Sequence, residues 1–224
     1  MTLVVSEVFG PTWQGEGPSV GQRAGFVRLG RCNLDCAWCD TAYTWDWSRF
    51  DPAEELHHLS ADAIIEQLDA MAVDFVVITG GEPLLQQRHL VPLLQAIRAR
   101  GWRIEIETSG TILPTPETVE LVDRFNVSPK LANSGVSIDR RRKPDVLRTL
   151  HDTGKAVFKF VVCEPDDLDE IAELDVQPVY VMPEGIDADT ITARMQKLAE
   201  PVLARGWNLT PRLQVLLWGD RRGV

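Results

Sequence analysis

The sequence predicts an α/β fold of mainly parallel strands, arranged as a partial (β/α)6-type barrel. Three observations predict it. Short apolar runs alternate with amphipathic segments about six times along the chain, the pattern of strands joined by helical crossovers. The intervals between them are a few residues long, as crossover loops are. Polar motifs recur just after the apolar runs, at what would be the carboxyl ends of parallel strands, where such folds carry their functional residues. Six units fall short of a full (β/α)8 barrel, so an open one is expected.

Gly25 to Leu29 (GFVRL) reads as the first of these strands. Ser60 to Met71 places Ile64, Leu68 and Met71 on one helical face, with Ser60 as N-cap. Phe75 to Ile78 (FVVI) is a short buried strand. From Gln87 to Arg100, Leu90, Leu93, Leu94 and Ile97 form one stripe, and Gly101 supplies the stop. Trp102 to Glu107 alternates as a strand, Thr118 to Arg124 reads as a short helix, and Phe125 to Val127 reads as a strand. An irregular stretch runs on to Arg142. Pro144 to Asp152 reads as a helix and Ala156 to Val162 (AVFKFVV) as a strong strand. Asp166 to Leu174 is a helix, Val179 to Met182 a strand and Asp187 to Arg205 a helix. Leu213 to Trp218 adds a last apolar run, suited to an interface or to burial in the same chain. There is no linker, low-complexity run or internal repeat, so residues 1–224 are expected to form a single domain.

Composition narrows the function classes. Hydrophobic residues make up 44% of the 224, enough for a sizeable core. There is no run of about 18 apolar residues, so no membrane span is expected, and MTLVVSEVFG, without a basic region ahead of an apolar one or a small-residue cleavage site, does not read as a signal peptide. The formal charge of -10 argues against a nonspecific nucleic-acid binder.

The cysteines carry more. Of four, three fall in CNLDCAWCDT, Cys32 to Thr41, spaced C-x3-C-x2-C, and Cys163 is distant. Buried cysteines could be small hydrophobes, but cores rarely gather three so closely. A structural zinc wants a fourth ligand, and His57 and His58 lie some twenty residues away. A cubane iron–sulfur cluster suits three thiolates and leaves one iron open to an exogenous ligand. The other polar motifs are TGGEP (Thr79 to Pro83), ETSGT (Glu107 to Thr111), SPK (Ser128 to Lys130) and MPEG (Met182 to Gly185). TGGEP alone reads as a strand-terminating turn. Its glycines, Gly80 and Gly81, also let a backbone approach a ligand closely. Lys159 inside AVFKFVV is costly unless it faces a cavity or pairs with an acid.

C-x3-C-x2-C after a strand, joined to GGEP after the next, resembles the radical S-adenosylmethionine (SAM) superfamily. With QGEG (Gln14 to Gly17), FVRL (Phe26 to Leu29), CDT, ETSGT and SPK added, the first 130 residues or so resemble the 7-carboxy-7-deazaguanine synthase family within it. The resemblance implies a partial barrel of the radical SAM type and a radical carbon–nitrogen lyase. Such an enzyme converts 6-carboxy-5,6,7,8-tetrahydropterin to 7-carboxy-7-deazaguanine with loss of ammonia, in queuosine or other 7-deazapurine biosynthesis. It implies a [4Fe-4S] cluster, SAM used catalytically, Mg2+, an electron donor such as a flavodoxin or ferredoxin, a homodimer and a cytoplasmic location.

Residue by residue, the resemblance implies that Cys32, Cys36 and Cys39 hold the cluster and that Thr41 contacts Mg2+. Without it, Asp40-Thr41 would read as a loop cap. Trp13, Gln14, Gly15, Glu16, Arg28 and Thr79 match substrate positions. A carboxylate such as Glu16 can read the donor–acceptor edge of a pterin, and Arg28 can fork onto a carboxylate substituent. Trp38, Cys39, Asp40, Gly81, Ser109, Ser128, Pro129 and Lys130 match the SAM site. Met182 stands where several members carry glutamine. The tail RLQVLLWGDRRGV lacks the histidine many members have, and Gln214 is its candidate replacement.

Overall fold

The structure, a computed structural model, describes residues 2–224. One sheet of nine strands runs through it: β1 (Thr2–Trp13), β2 (Arg23–Leu29), β3 (His57–Ser60), β4 (Phe75–Gly80), β5 (Arg103–Thr108), β6 (Arg124–Val127), β7 (Ala156–Val162), β8 (Val179–Pro183) and β9 (Asn208–Leu209). Their order is β3-β1-β2-β4-β5-β6-β7-β8-β9. Pairing from β2 to β9 is parallel throughout. β1 is antiparallel to both β2 and β3. The six strands read from the sequence are β2 and β4 to β8, and the sheet stays open, as expected. Among the described residues no helix is long and apolar enough to cross a membrane.

The sheet is wider than the sequence reading. Thr2–Trp13 forms its longest strand, and its buried stretch, Leu3 to Ser6, is a continuous run without alternation. HHLS, considered only for metal binding, pairs along β1 as an edge. Asn208–Leu209 adds two residues to β8, too short to leave a periodic trace. The short helix expected over Thr118 to Arg124 is Pro116–Leu121 instead. Thr115 caps it by accepting from the Thr118 N–H, and Pro116 begins it. Val122 is already extended and 1% exposed, which leaves Arg124 to open β6. The other helices keep close to their expected bounds: Ala61–Met71 capped by Ser60, Gln87–Ala99, Pro144–Asp152, Asp167–Ala172, and Ala188–Ala204 capped by Asp187.

Strand alternation sorts the side chains into two layers. Val27 and Leu29, Val76 and Ile78, Ile104 and Ile106, Phe125 and Val127, and Phe158 and Phe160 face outward and pack on the helices' Leu68, Leu90, Leu94 and Leu147. Each contributes roughly 1.5–3 kcal/mol by leaving water. The inward set begins apolar, with Ala24, Phe26, Phe75 and Val77. It turns polar toward the carboxyl ends, with Arg28, Thr79, Glu107, Ser128 and Lys159. The gap in the barrel is bridged by chain outside the sheet. Leu213 N–H donates to the Gly15 carbonyl (2.9 Å) and Gly17 N–H to Thr210 Oγ1 (2.9 Å).

Gln86 ties β1 to this frame as a backbone strand would. Its Oε1 accepts from Val4 N–H (2.8 Å), and its Nε2 donates to the carbonyls of Val4 (2.9 Å) and Gly30 (3.1 Å). The site is buried, so removing the amide strands backbone groups without water. Gln86→Ala is expected to lower unfolding free energy by about 2–4 kcal/mol. Urea denaturation checks this, and a loss below about 0.5 kcal/mol would mean the amide is dispensable.

Candidate active site

The cysteine motif leaves β2 as a loop braced from several sides. Arg31 N–H donates to the Thr44 carbonyl (2.7 Å), closing the loop on itself. Ala37 N–H donates to the Ser134 carbonyl (2.9 Å) and Trp38 Nε1 to the Asn133 carbonyl (3.1 Å), both from the segment after β6. Arg140 reaches back to the Asn33 carbonyl (2.9 Å) and the Asp35 carboxylate (2.8 Å). Cys32, Cys36 and Cys39 are free thiols on the wall of one cavity. Two N–H groups already point at sulfur: Leu34 N–H at Cys32 Sγ (3.4 Å) and Trp45 Nε1–H at Cys39 Sγ (3.3 Å). Burial pushes the Cys32 thiol up to about 12 and raises Cys36 as well. A thiolate there needs a cationic partner. Three thiols, N–H donors to sulfur and an adjoining cavity fit an iron–sulfur cluster with one open iron.

The two glycines of TGGEP line the cavity and also meet a packing demand. A Cβ on Gly80 would stand 2.1 Å from the Leu29 carbonyl oxygen, and one on Gly81 2.1 Å from that of Arg31. What approaches closely is the cysteine loop's own backbone. Gly81 N–H donates to the Leu29 carbonyl (3.1 Å) and Glu82 N–H to that of Arg31 (2.9 Å). Glu82 is fully buried and joins this staple to the end of β5. Its Oε1 accepts from Leu84 N–H (3.0 Å) and Thr108 Oγ1 (2.8 Å), and its Oε2 from Ser109 N–H (2.8 Å) and Ser109 Oγ (2.6 Å). Sequence reasoning gave Glu82 no role of its own. The Ser109 hydroxyl, matched to the SAM site, lines the cavity with its proton engaged by Glu82.

From Asp40 on the cysteine loop, a chain of alternating charge crosses the cavity. Lys159, 3% exposed, donates to Glu16 Oε2 (2.5 Å) and Glu107 Oε2 (2.7 Å). It thus both faces the cavity and pairs with acids. Arg212 donates to Glu16 Oε1 (3.3 Å) and forms an ion pair with Asp40. Burial pushes the Glu16 carboxyl up, but Lys159 and Arg212, with hydrogen bonds from Lys159 and Gln214, outweigh it and hold Glu16 well below the usual carboxylate range. Glu107 goes the other way. Burial raises it, Lys159 opposes, and the neighbouring charges of Glu16 and Glu105 add to the rise. The asymmetry follows from Arg212, which reaches Glu16 and not Glu107. Burial works against the charge on Lys159, and the two carboxylates more than restore it.

The remaining expected residues fall as follows. Trp13, Gln14, Gly15, Glu16, Arg28, Trp38, Asp40, Thr41, Thr79, Gly81, Ser128 and Lys130 all line the same cavity, and so do Met182 and Gln214. Pro129 is buried behind it and does not line it. The Gln14 amide is engaged internally, donating to Glu107 Oε1 (3.1 Å) and accepting from Glu16 N–H (3.2 Å). Arg28 donates its Nε to Glu7 Oε1 (2.7 Å), an oxygen that also accepts from Tyr43 OH (2.8 Å), and its guanidinium lies over the Phe9 ring. That leaves its terminal nitrogens for a ligand. Lys130 Nζ donates to Ser128 Oγ (2.9 Å) and stands 5.5 Å from the Trp38 ring centroid. In the tail, Leu213–Trp218 is a helix that buries Val215 and leaves Leu217 and Trp218 exposed. Glu7 and Arg212 had no signal in the sequence: each is a lone charge beside ordinary neighbours.

The chain is similar to several known proteins. The profile of the Radical SAM superfamily matches residues 27–146. A 7-carboxy-7-deazaguanine synthase of Pyrobaculum aerophilum is 37% identical, over 98% of this chain and 96% of its own. One of Bacillus subtilis is 28% identical over 99% and 98%. Among solved structures, QueE from Escherichia coli superposes with a TM-score of 0.71 at 28% identity, covering 95% of each chain.

Two variants probe the site. Gly81→Ala should displace Arg31 and Cys32 and cut iron incorporation on reconstitution to less than half. Gly101→Ala, which has a positive φ but meets nothing, should leave it unchanged. Lys159→Met removes the cation between two carboxylates and should destabilise by about 3–5 kcal/mol near neutral pH. The deficit should shrink toward about pH 5. A carboxyl raised above its unfolded value costs stability when ionised and regains it as pH falls through the folded value. Urea unfolding between about pH 5 and about pH 8 checks the sign, and a deficit that grows on acidification contradicts it.

Proposed function

The chain belongs to the 7-carboxy-7-deazaguanine synthase family of radical SAM enzymes, and from that premise we propose that it contracts the ring of 6-carboxy-5,6,7,8-tetrahydropterin to 7-carboxy-7-deazaguanine. The observation that carries this reading is the meeting, in one cavity, of three free thiols with a fixed arginine fork and an ionised buried glutamate. The overall change is an isomerisation with loss of one ammonia. No net oxidation occurs, which suits SAM used catalytically.

Cys32, Cys36 and Cys39 would hold a [4Fe-4S] cluster. When bound, the cluster would supply the electron that initiates radical chemistry by reductive cleavage of SAM. Trp38, Cys39, Asp40, Gly81, Ser109, Ser128 and Lys130 form the SAM side, with Pro129 buried behind them and Lys130 suited to the SAM carboxylate. On the other side, Arg28, its Nε fixed by Glu7, offers its remaining N–H groups to the substrate carboxylate. Glu16 stays ionised against Lys159 and Arg212, so it accepts from the 2-amino edge of the ring. Trp13, Gln14, Gly15 and Thr79 complete the pocket. Thr41 would contribute a hydroxyl to Mg2+. Among the described residues no three His, Cys, Asp or Glu side chains are grouped to hold a single ion, and a magnesium ion here would take most of its ligands from substrate and water. The same reading includes one functional unit over residues 1–224, a flavodoxin or ferredoxin as electron donor, a homodimer, a cytoplasmic location and a product that feeds 7-deazapurine formation such as queuosine.

Anaerobic reconstitution with iron and sulfide, then incubation with SAM, Mg2+, reductant and the carboxypterin, tests the proposal. The expected result is 7-carboxy-7-deazaguanine in molar excess over 5′-deoxyadenosine. 5′-Deoxyadenosine without deazaguanine would mean the substrate is another molecule.

A further inference from the structure

Arg212 reaches three loops at once. Its Nη1 donates to the Gly185 carbonyl (2.5 Å) after β8, its Nε to Glu16 Oε1 after β1, and its Nη2 to Asp40 on the cysteine loop. The side chain is 9% exposed. Asp40 accepts no other side-chain hydrogen bond among the described residues, so this guanidinium alone fixes its carboxylate. Around Glu16 the grip is tighter. Gln214 Nε2 donates to the same Oε1 (2.8 Å), and Leu213 N–H holds the Gly15 carbonyl (2.9 Å). Glu16 N–H and Gly17 N–H are themselves engaged, by Gln14 Oε1 and Thr210 Oγ1.

We propose that Arg212 is a positioning residue that couples the two halves of the cavity, so that SAM arriving beside Asp40 orders the Gly15–Gly17 loop across from it. This rests on the reading above that Asp40 lies on the SAM side and Glu16 on the substrate side. The guanidinium is planar, and its donors are fixed relative to one another. A shift of Asp40 to meet a ligand therefore rotates the plane and acts on Glu16 and Gly185 together. A lysine has one nitrogen and cannot keep the three directions. Coupling of this kind typically amounts to about 5–150-fold between sites.

The test is amide hydrogen exchange on the reconstituted enzyme with and without SAM, no substrate present. In the wild type, SAM should slow exchange of the Glu16, Gly17 and Leu213 amides by about 5-fold or more. In Arg212→Lys and Arg212→Gln the cluster should load to the same iron content, and the SAM effect on these amides should vanish. Asp40→Asn, which loosens one arm only, should also abolish it, and serves if the arginine variants fold poorly. Slowing that persists in the variants, or that is absent from the wild type, overturns the proposal. Because no pterin enters the experiment, a wrong substrate assignment leaves this result standing.

Discussion

Lys159 sets a full positive charge on the inner face of β7, a strand in which every residue is buried. A charge so placed persists only with opposite charges against it. Glu107 comes from the neighbouring half of the sheet and Glu16 from a loop that crosses the barrel's gap. Each acid then needs its own supports: Gln14 and Asn126 on Glu107, Arg212 and Gln214 on Glu16. The order Asp40, Arg212, Glu16, Lys159, Glu107 alternates in sign along its length. It spans the cavity from the cysteine loop to β5 and closes the open side of the sheet with ion pairs where a strand pair is missing.

The cysteine half is built on the opposite plan. Backbone hydrogen bonds from Gly81, Glu82, Arg31 and Ala37, and side-chain braces from Trp38 and Arg140, set its shape. Few of these partners titrate. Apart from the exposed Arg140–Asp35 pair, the loop that would carry the reactive centre is thus held by interactions that pH and salt barely touch. The polar half depends on charge balance. Asp40 and Arg212 are where the two plans meet.

The sequence made the parallel core legible because period-2 runs and amphipathic stripes leave strong traces. β5 and β7 even showed their inward polar positions, Glu107 and Lys159. The antiparallel flank was hidden for a physical reason. β1 is buried in a run, without alternation, and β3 is an exposed edge of mixed polarity. The site's ligand-facing motifs were legible as chemistry, since clustered cysteines and strand-end polar groups are rare in cores. Its supports were not. Glu7, Gln86 and Arg212 act on residues 21, 82 and 172 positions away, and such partners leave no local pattern.

The Gly-Gly-Glu staple bears on how such sequences are sorted. Its glycines are required by the passage of one backbone over another, and its glutamate by four buried donors. None of these demands involves a cofactor. With the cysteines replaced, this chain would still need all three residues to keep β2 and β5 joined. The triplet therefore reports first on how one backbone crosses another, and the thiols report on the chemistry.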